Sequence, residues 1–310
     1  MKTKRLLVTA TLVLVGLPLV LLVVAATWTL VLDRTNGTIV SSGEKRTYLL
    51  YVPPTYDPAR PMPLVVSLHG AAAWPAQQMN LTRWNQLADQ HGFIVVYPSG
   101  SGRIWHVDRG LGRSDDVRFI ADLLDTVQAR YAIDSTRIYV NGFSLGGGMT
   151  FVLSCTLADR IAAVGVVAAA QTLPFSWCPD RHPVPMIAFH GTADMVPYDG
   201  GPSPDPFNPL MFPAVRVWVA NWAGRNRCGP DAMEATIAAD VTRLAYTRCA
   251  DSAAVVLYTI QGGGHTWPGG KPLPAWLLGP TSASVDATSE MWSFFQQHRK
   301  TRATSAAAAR

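Results

Sequence analysis

A serine framed by glycines at two-residue spacing, Gly142-Phe143-Ser144-Leu145-Gly146, sits between a short apolar run and a helix-forming stretch. A serine hydroxyl attacks an acyl carbon effectively only when a base removes its proton, so the motif calls for a histidine and a carboxylate that orients it. Glycines two residues either side let a helix approach a strand closely, which holds the serine on a strained turn between them. Two later segments supply the partners in the order that such a turn uses. His190-Gly191-Thr192-Ala193-Asp194 closes one apolar run, and Gly262-Gly263-Gly264-His265-Thr266-Trp267-Pro268 closes another. Ser144 therefore reads as the nucleophile, Asp194 as the orienting acid and His265 as the base. Asp199 lies further from the strand end than Asp194. His190 reads as a packed histidine, His91 and His182 as surface residues beside turns, and His298 as a solvated helix-terminal residue.

Attack on a carbonyl creates an oxyanion that needs backbone N–H donors aimed at it. The amide of Leu145, directly after the nucleophile, is one candidate. The second is the amide of Ala71 in the loop His69-Gly70-Ala71-Ala72-Ala73, where Gly70 lets the chain turn closely and His69 braces the loop. Chemistry of this kind needs no metal and no organic cofactor. None of the four cysteines forms a Cys-x-x-Cys pair, so a zinc or thioredoxin-like site is unsupported.

Such residues need strand ends to stand on. Thr38–Ser41 and Thr47–Val52 read as a hairpin across Gly43-Glu44. Short apolar runs at 64–68, 94–97, 138–140, 162–169, 186–189 and 255–260 read as buried strands. Val117, Ile120, Leu123, Leu124 and Val127 repeat at three-and-four spacing, which predicts a helix over 116–131, with Ser114 as its cap. Further helices are expected near 145–157, 214–222 and 285–297. Alternating strands and helices predict an α/β fold with a mostly parallel central sheet and helices on both faces. Residues 200–213 read as a long surface loop. Trp74, Trp105 and Trp267 are candidates equally for lining a cleft and for packing in the core.

The chain of 310 residues is 48% hydrophobic and 15% charged, enough for a sizeable core. Its formal charge of +5 is scattered, without cations interleaved with aromatics, which argues against nucleic acid as a partner. Lys2, Lys4 and Arg5 precede an uncharged apolar stretch from Leu6 to Leu32. At about 27 residues it is longer than a signal-peptide core and long enough to span a bilayer. Val24-Ala25-Ala26 offers a cleavage site, so residues 1–36 read as a signal peptide or an N-terminal membrane anchor. The body is then exported, as a secreted protein or one held at the membrane through an uncleaved segment. Residues 37–299 form the expected catalytic domain and 300–310 a disordered tail. Cys155, Cys178, Cys228 and Cys249 suggest two disulfides, for which spacing leaves three connectivities open.

The serine motif, the His190–Asp194 segment and the segment Gly264-His265-Thr266-Trp267-Pro268-Gly269 together resemble the polyhydroxybutyrate depolymerase-like esterases. These sit close to the feruloyl and acetylxylan esterases of carbohydrate esterase family one. The resemblance covers roughly Arg46 to Phe295. It implies the α/β-hydrolase fold, the triad above, and disulfides Cys155–Cys178 and Cys228–Cys249. It also implies a serine carboxylic-ester hydrolase working through an acyl-enzyme. The substrate would be a polyester oligomer or a hydroxycinnamoyl or acetyl ester. Ala71 stands where such relatives often carry cysteine or glycine. The related mycolyltransferases pass the acyl group to a sugar hydroxyl with the same residues, whereas a non-catalytic binding relative would lack a triad member.

Overall fold

Runs of branched apolar residues make the strands, and their alternation decides which face each side chain covers. The computed structural model describes residues 34–107, 115–178, 182–203 and 211–300. The apolar N-terminal stretch, the Ser114 cap and the tail beyond Lys300 lie outside these residues. Among the described residues, no helix is long and apolar enough to cross a membrane.

The chain runs β1 (Gly37–Ser41), β2 (Glu44–Tyr51), β3 (Met62–Leu68), α1 (Pro75–Thr82), α2 (Trp84–His91), β4 (Ile94–Pro98) and α3 (Asp115–Arg130). It continues through β5 (Ile133–Phe143), α4 (Leu145–Thr156), β6 (Ala163–Val167), β7 (Met186–Gly191), β8 (Gly201–Pro202), β9 (Met211–Phe212) and α5 (Val215–Arg225). The last elements are β10 (Met233–Ala238), β11 (Val241–Tyr246), β12 (Val255–Ile260), α6 (Ala275–Leu278) and α7 (Ala287–Phe295).

Ten of these strands form one sheet in the order β1-β2-β4-β3-β5-β6-β7-β12-β11-β10. The six strands from β4 to β12 in that order are parallel, and the pairs outside them are antiparallel. The mostly parallel sheet expected from the sequence is thus observed. Leu64, Val66, Ile138 and Val140 point to one core with α3, α4 and α5. Val65, Tyr139 and Phe143 point to the opposite core, with α1, α2 and α7. Three helices and two strands go beyond the sequence reading: α1, α2, α6, β10 and β11. The expected 200–213 loop also carries the short β8–β9 ribbon.

Both expected disulfides are formed. Cys155 at the end of α4 joins Cys178, and Cys228 after α5 joins Cys249 after β11.

At the carboxyl end of β5 the backbones come unusually close. A Cβ on Gly142 would overlap the Gly146 carbonyl, and one on Gly146 would overlap the carbonyls of Leu68 and His69. These obstacles are main chain, so they cannot rotate aside. Gly146→Ala is expected to push α4 off β3, reducing soluble yield and lowering the urea midpoint. A variant as stable as the parent in urea titration would refute this packing argument.

His298, expected to be solvated, is instead buried and packs on Phe294 with ring centroids 4.5 Å apart. Its Nε2 has no hydrogen-bond partner among the described residues. Burial lowers its pKa to about 4, and burial also lowers that of His190. The ordinary histidine value is about 6.5, so between these two pH values the unfolded chain binds a proton that the folded chain refuses. Stability should therefore hold above pH 7 and fall as the pH drops from about 6.5 towards 4. Urea titrations of wild type and His298→Phe at pH 7.5 and 5 measure this contribution; the variant should lose less stability on acidification.

Candidate active site

Ser144 occupies the turn between β5 and α4 with φ 53° and ψ −121°. A positive φ at a residue with a side chain costs about 1–3 kcal/mol and persists only where the surroundings enforce it. Here three backbone bonds do so. The Ser144 N–H donates to the Val167 carbonyl at 2.9 Å, and the Gly147 and Gly148 N–H groups donate to the Ser144 carbonyl at 2.8 and 3.1 Å. The turn lifts the side chain away from the sheet towards the loops that follow β3, β7 and β12.

One of those loops brings His265, whose Nε2 lies 2.8 Å from Ser144 Oγ. Its Nδ1 lies 2.7 Å from Asp194 Oδ1. The three residues expected from the sequence are therefore in hydrogen-bond contact in the order serine, histidine, carboxylate. Asp194 and His265 are both buried. The Val196 N–H donates to Asp194 Oδ1 at 2.7 Å, which fixes the carboxylate. His190 Nε2 is 2.9 Å from the Val196 carbonyl and 3.7 Å from Asp194 Oδ2. The Nε2–H donates to that carbonyl, so His190 braces the turn bearing Asp194. Burial pushes its pKa below the ordinary histidine value although the Asp194 carboxylate opposes this. Asp199 lies exposed, away from His265.

His265 is also gripped through its main chain. Its N–H donates to the Leu278 carbonyl at 2.6 Å, and the Gly264 N–H donates to the Pro280 carbonyl at 2.9 Å. A side chain on Gly264 would collide with the Leu278 carbonyl and Gly279. The α6 segment and the His265 loop are thus packed backbone to backbone. Phe143 supports the imidazole from the side, ring centroids 5.0 Å apart.

The loop after β3 passes the other side of Ser144. A Cβ on Gly70 would lie 3.4 Å from Ser144 Cβ, and Ala71 lines the same cavity as Ser144. Leu145 opens α4, so its N–H has no intrahelical acceptor. The N-terminal dipole of α4 favours negative charge beside Ser144. His69 is fully buried and accepts from the Gly100 N–H at its Nε2, 3.0 Å away. Its Nδ1 therefore carries the proton that it donates to the Gly70 carbonyl at 2.7 Å. Trp105 Nε1 donates to the His69 carbonyl at 2.9 Å. A buried pair, Arg46 with Asp116 at 2.6 Å, anchors the next residue: Asp116 also accepts from the His106 N–H at 2.8 Å.

A cavity of about 530 Å³ opens over Ser144 and His265. Its walls are mainly apolar, from Leu81, Met195, Val196, Leu273, Leu277 and Leu278. Gln77 and Gln78 enter from α1. These wall residues escaped the sequence reading, although Pro75 at the first position of α1 is a helix-start signal. The three tryptophans considered for a cleft are absent from this lining. Trp105 and Trp267 are fully buried, with Trp267 Nε1 donating to Thr288 Oγ1 at 2.9 Å, and Trp74 lies under the Arg103 guanidinium. Among the described residues there is no group of three or more side chains suited to holding a metal.

The sequence profile of the family described as "Esterase PHB depolymerase" matches residues 46–172, a span that includes Ala71 and Ser144. Feruloyl esterase B of Piromyces equi is 29% identical over 235 residues, covering 73% of this chain and 44% of that protein. This chain thus spans less than half of that relative's length. NocK of Nocardia uniformis subsp. tsuyamanensis, an esterase by name, is 30% identical over 254 residues, covering 75% of this chain and 73% of that protein. Among solved structures, the acetyl xylan esterase from Aspergillus awamori superposes with a TM-score of 0.60 at 18% identity. It covers 84% of this chain and 98% of its own, a likeness of fold. With the parallel sheet and strand-end site described above, these matches show that the chain belongs to the family of polyhydroxybutyrate depolymerase-like and feruloyl esterase-like proteins.

Proposed function

We propose that this protein is a serine carboxylic-ester hydrolase acting through a covalent acyl-enzyme, with residues 37–299 as its catalytic domain. The observation that carries this reading is the position of His265, 2.8 Å from Ser144 Oγ and 2.7 Å from Asp194 Oδ1, at the base of an apolar cavity. His265 Nε2 takes the hydroxyl proton as Ser144 Oγ bonds to the ester carbonyl carbon. The carbonyl π electrons move to oxygen, and the Ala71 and Leu145 amides hold the resulting oxyanion. When the oxyanion collapses, the bond to the alcohol oxygen breaks and His265 returns the proton to the leaving alcohol. A water then repeats the sequence on the acyl-enzyme and releases the acid. Asp194 stays ionised throughout, fixing the tautomer and stabilising the imidazolium.

Names of relatives point to feruloyl and acetyl esters as the substrate class, and a polyester oligomer is a further member of it. Two disulfides and the apolar stretch ahead of the body support action outside the cytoplasm, where disulfides persist.

Ser144→Ala should lower kcat for a soluble ester by about 10⁴–10⁶-fold with KM little changed, because the hydroxyl acts only in the chemical step. His265→Ala should cost a similar factor and the double variant scarcely more, since the two act as one unit. Asp194→Asn should cost about 10⁴-fold. Steady-state kinetics on a p-nitrophenyl ester measure all four. Retention of a tenth of wild-type turnover by Ser144→Ala would overturn the assignment.

A further inference from the structure

The glycine-rich loop that bears His265 is held from two sides. On one side are the Leu278 and Pro280 carbonyls, which accept from the His265 and Gly264 N–H groups. On the other, the loop runs into Trp267, whose indole is fully buried. Trp267 Nε1–H donates to Thr288 Oγ1 at 2.9 Å, and the Thr288 hydroxyl donates in turn to the Thr82 carbonyl at 2.6 Å. Thr288 is buried in the first turn of α7, and Thr82 closes α1, the helix that brings Leu81 to the cavity wall. One hydroxyl thus joins the loop of the base to two helices. Helical threonines commonly bond back within their own helix, as Thr82 does to the Gln78 carbonyl and Thr150 to that of Gly146. Thr288 instead reaches an acceptor 206 residues away in the sequence.

We propose that Thr288 is a positioning residue for catalysis, whose hydroxyl fixes Trp267 and through it the reach of His265 Nε2 to Ser144 Oγ. The inference rests on the esterase reading of this site and deepens it. The rest of the seam is main chain: the Ala287 N–H donates to the Pro268 carbonyl and the Lys271 N–H to the Leu81 carbonyl, each at 3.0 Å. A change at Thr288 leaves these bonds in place, so the loop stays folded. Loss of the hydroxyl, however, strips a buried indole N–H and a buried carbonyl of their partner at once, which is costly for both. Trp267 shifts to find another partner, and His265, two residues earlier, shifts with it. Proton transfer from Ser144 needs hydrogen-bond reach, and a displacement of about 1 Å can cost on the order of 10²-fold in rate. The cavity walls that meet the substrate are other side chains, so the loss falls on kcat and not on KM.

The test compares wild type, Thr288→Val and Thr288→Ser on a p-nitrophenyl ester and in their inactivation by phenylmethylsulfonyl fluoride. Ser144 Oγ bonds to the sulfonyl sulfur as fluoride leaves and His265 takes the hydroxyl proton, and the amount bound at completion, read by mass spectrometry, counts competent sites. Valine keeps the shape of threonine without its hydroxyl. Thr288→Val should lower kcat per competent site by about ten- to a hundredfold and slow inactivation alike. Its KM should stay within about twofold of wild type. Thr288→Ser keeps both donor and acceptor and should restore kcat to within about threefold. A contact that only stabilised the fold would lower the number of competent sites and leave each at full speed. Wild-type kcat per site in Thr288→Val would overturn the proposal, as would a loss confined to KM or one that serine does not restore. If Thr288→Val gives no soluble protein, Trp267→Phe removes the donor and leaves the bond from Thr288 to Thr82. The same fall in kcat per site is then expected, and full speed would overturn the proposal. The esterase reading fails separately, through Ser144→Ala keeping its turnover of the same ester.

Discussion

Where α4 begins, main chain touches main chain with nothing but hydrogen between. Gly142 and Gly146 are the positions at which this happens: Gly142 faces the Gly146 carbonyl, and Gly146 faces the carbonyls of Leu68 and His69. The separation dictates the positive φ of Ser144, since a helix started any later would leave its first turn too far from β3 to pack. The position of Ser144 at the head of α4 is therefore tied to a contact in the core.

Around that contact, two histidines share one carboxylate and do different work. His265 meets Asp194 Oδ1 head-on and lines the cavity beside Ser144. His190 lies against the other oxygen at 3.7 Å, fully enclosed, with its Nε2–H spent on the Val196 carbonyl. Burial keeps it neutral, and a neutral brace adds no positive charge that would compete with the imidazolium for Asp194. The distinction is one of position, because His190 lies within β7 whereas His265 stands in the loop after the neighbouring parallel strand β12.

The chemistry was legible in the sequence because it sits at strand ends, and strand ends are where apolar runs stop. Ser144, Asp194 and His265 each follow a strand of five or more buried residues that no other element could explain. The walls were not legible, for a physical reason. Helices α1 and α2 have eight residues each and mix amides with apolar side chains, so their periodicity is brief. Strands β10 and β11 lie at the sheet edge, where β10 is exposed along nearly its whole length and has no apolar run to display. The tryptophans left two readings open, a cleft or the core, and for Trp105 and Trp267 it is the core, where their indole N–H groups are anchored to the His69 carbonyl and Thr288 Oγ1. Burial of His298 likewise depends on a contact with Phe294 four residues earlier, at a helix end where exposure is the ordinary outcome.

The bonds from His265 to Leu278 and from Gly264 to Pro280 tie the general base to one wall of the cavity. Divergence among descendants of this chain is constrained by that tie. An insertion or deletion between 278 and 280 would break these two bonds and shift the imidazole. Residues 275–277 lie just upstream of the pinned carbonyls, and there Trp276 and Leu277 already stand largely in solvent. Variation at those positions can reshape what the cavity admits without disturbing the proton relay. New preferences should thus accumulate on one side of Leu278 and not on the other, which gives the lineage a direction along which it can change.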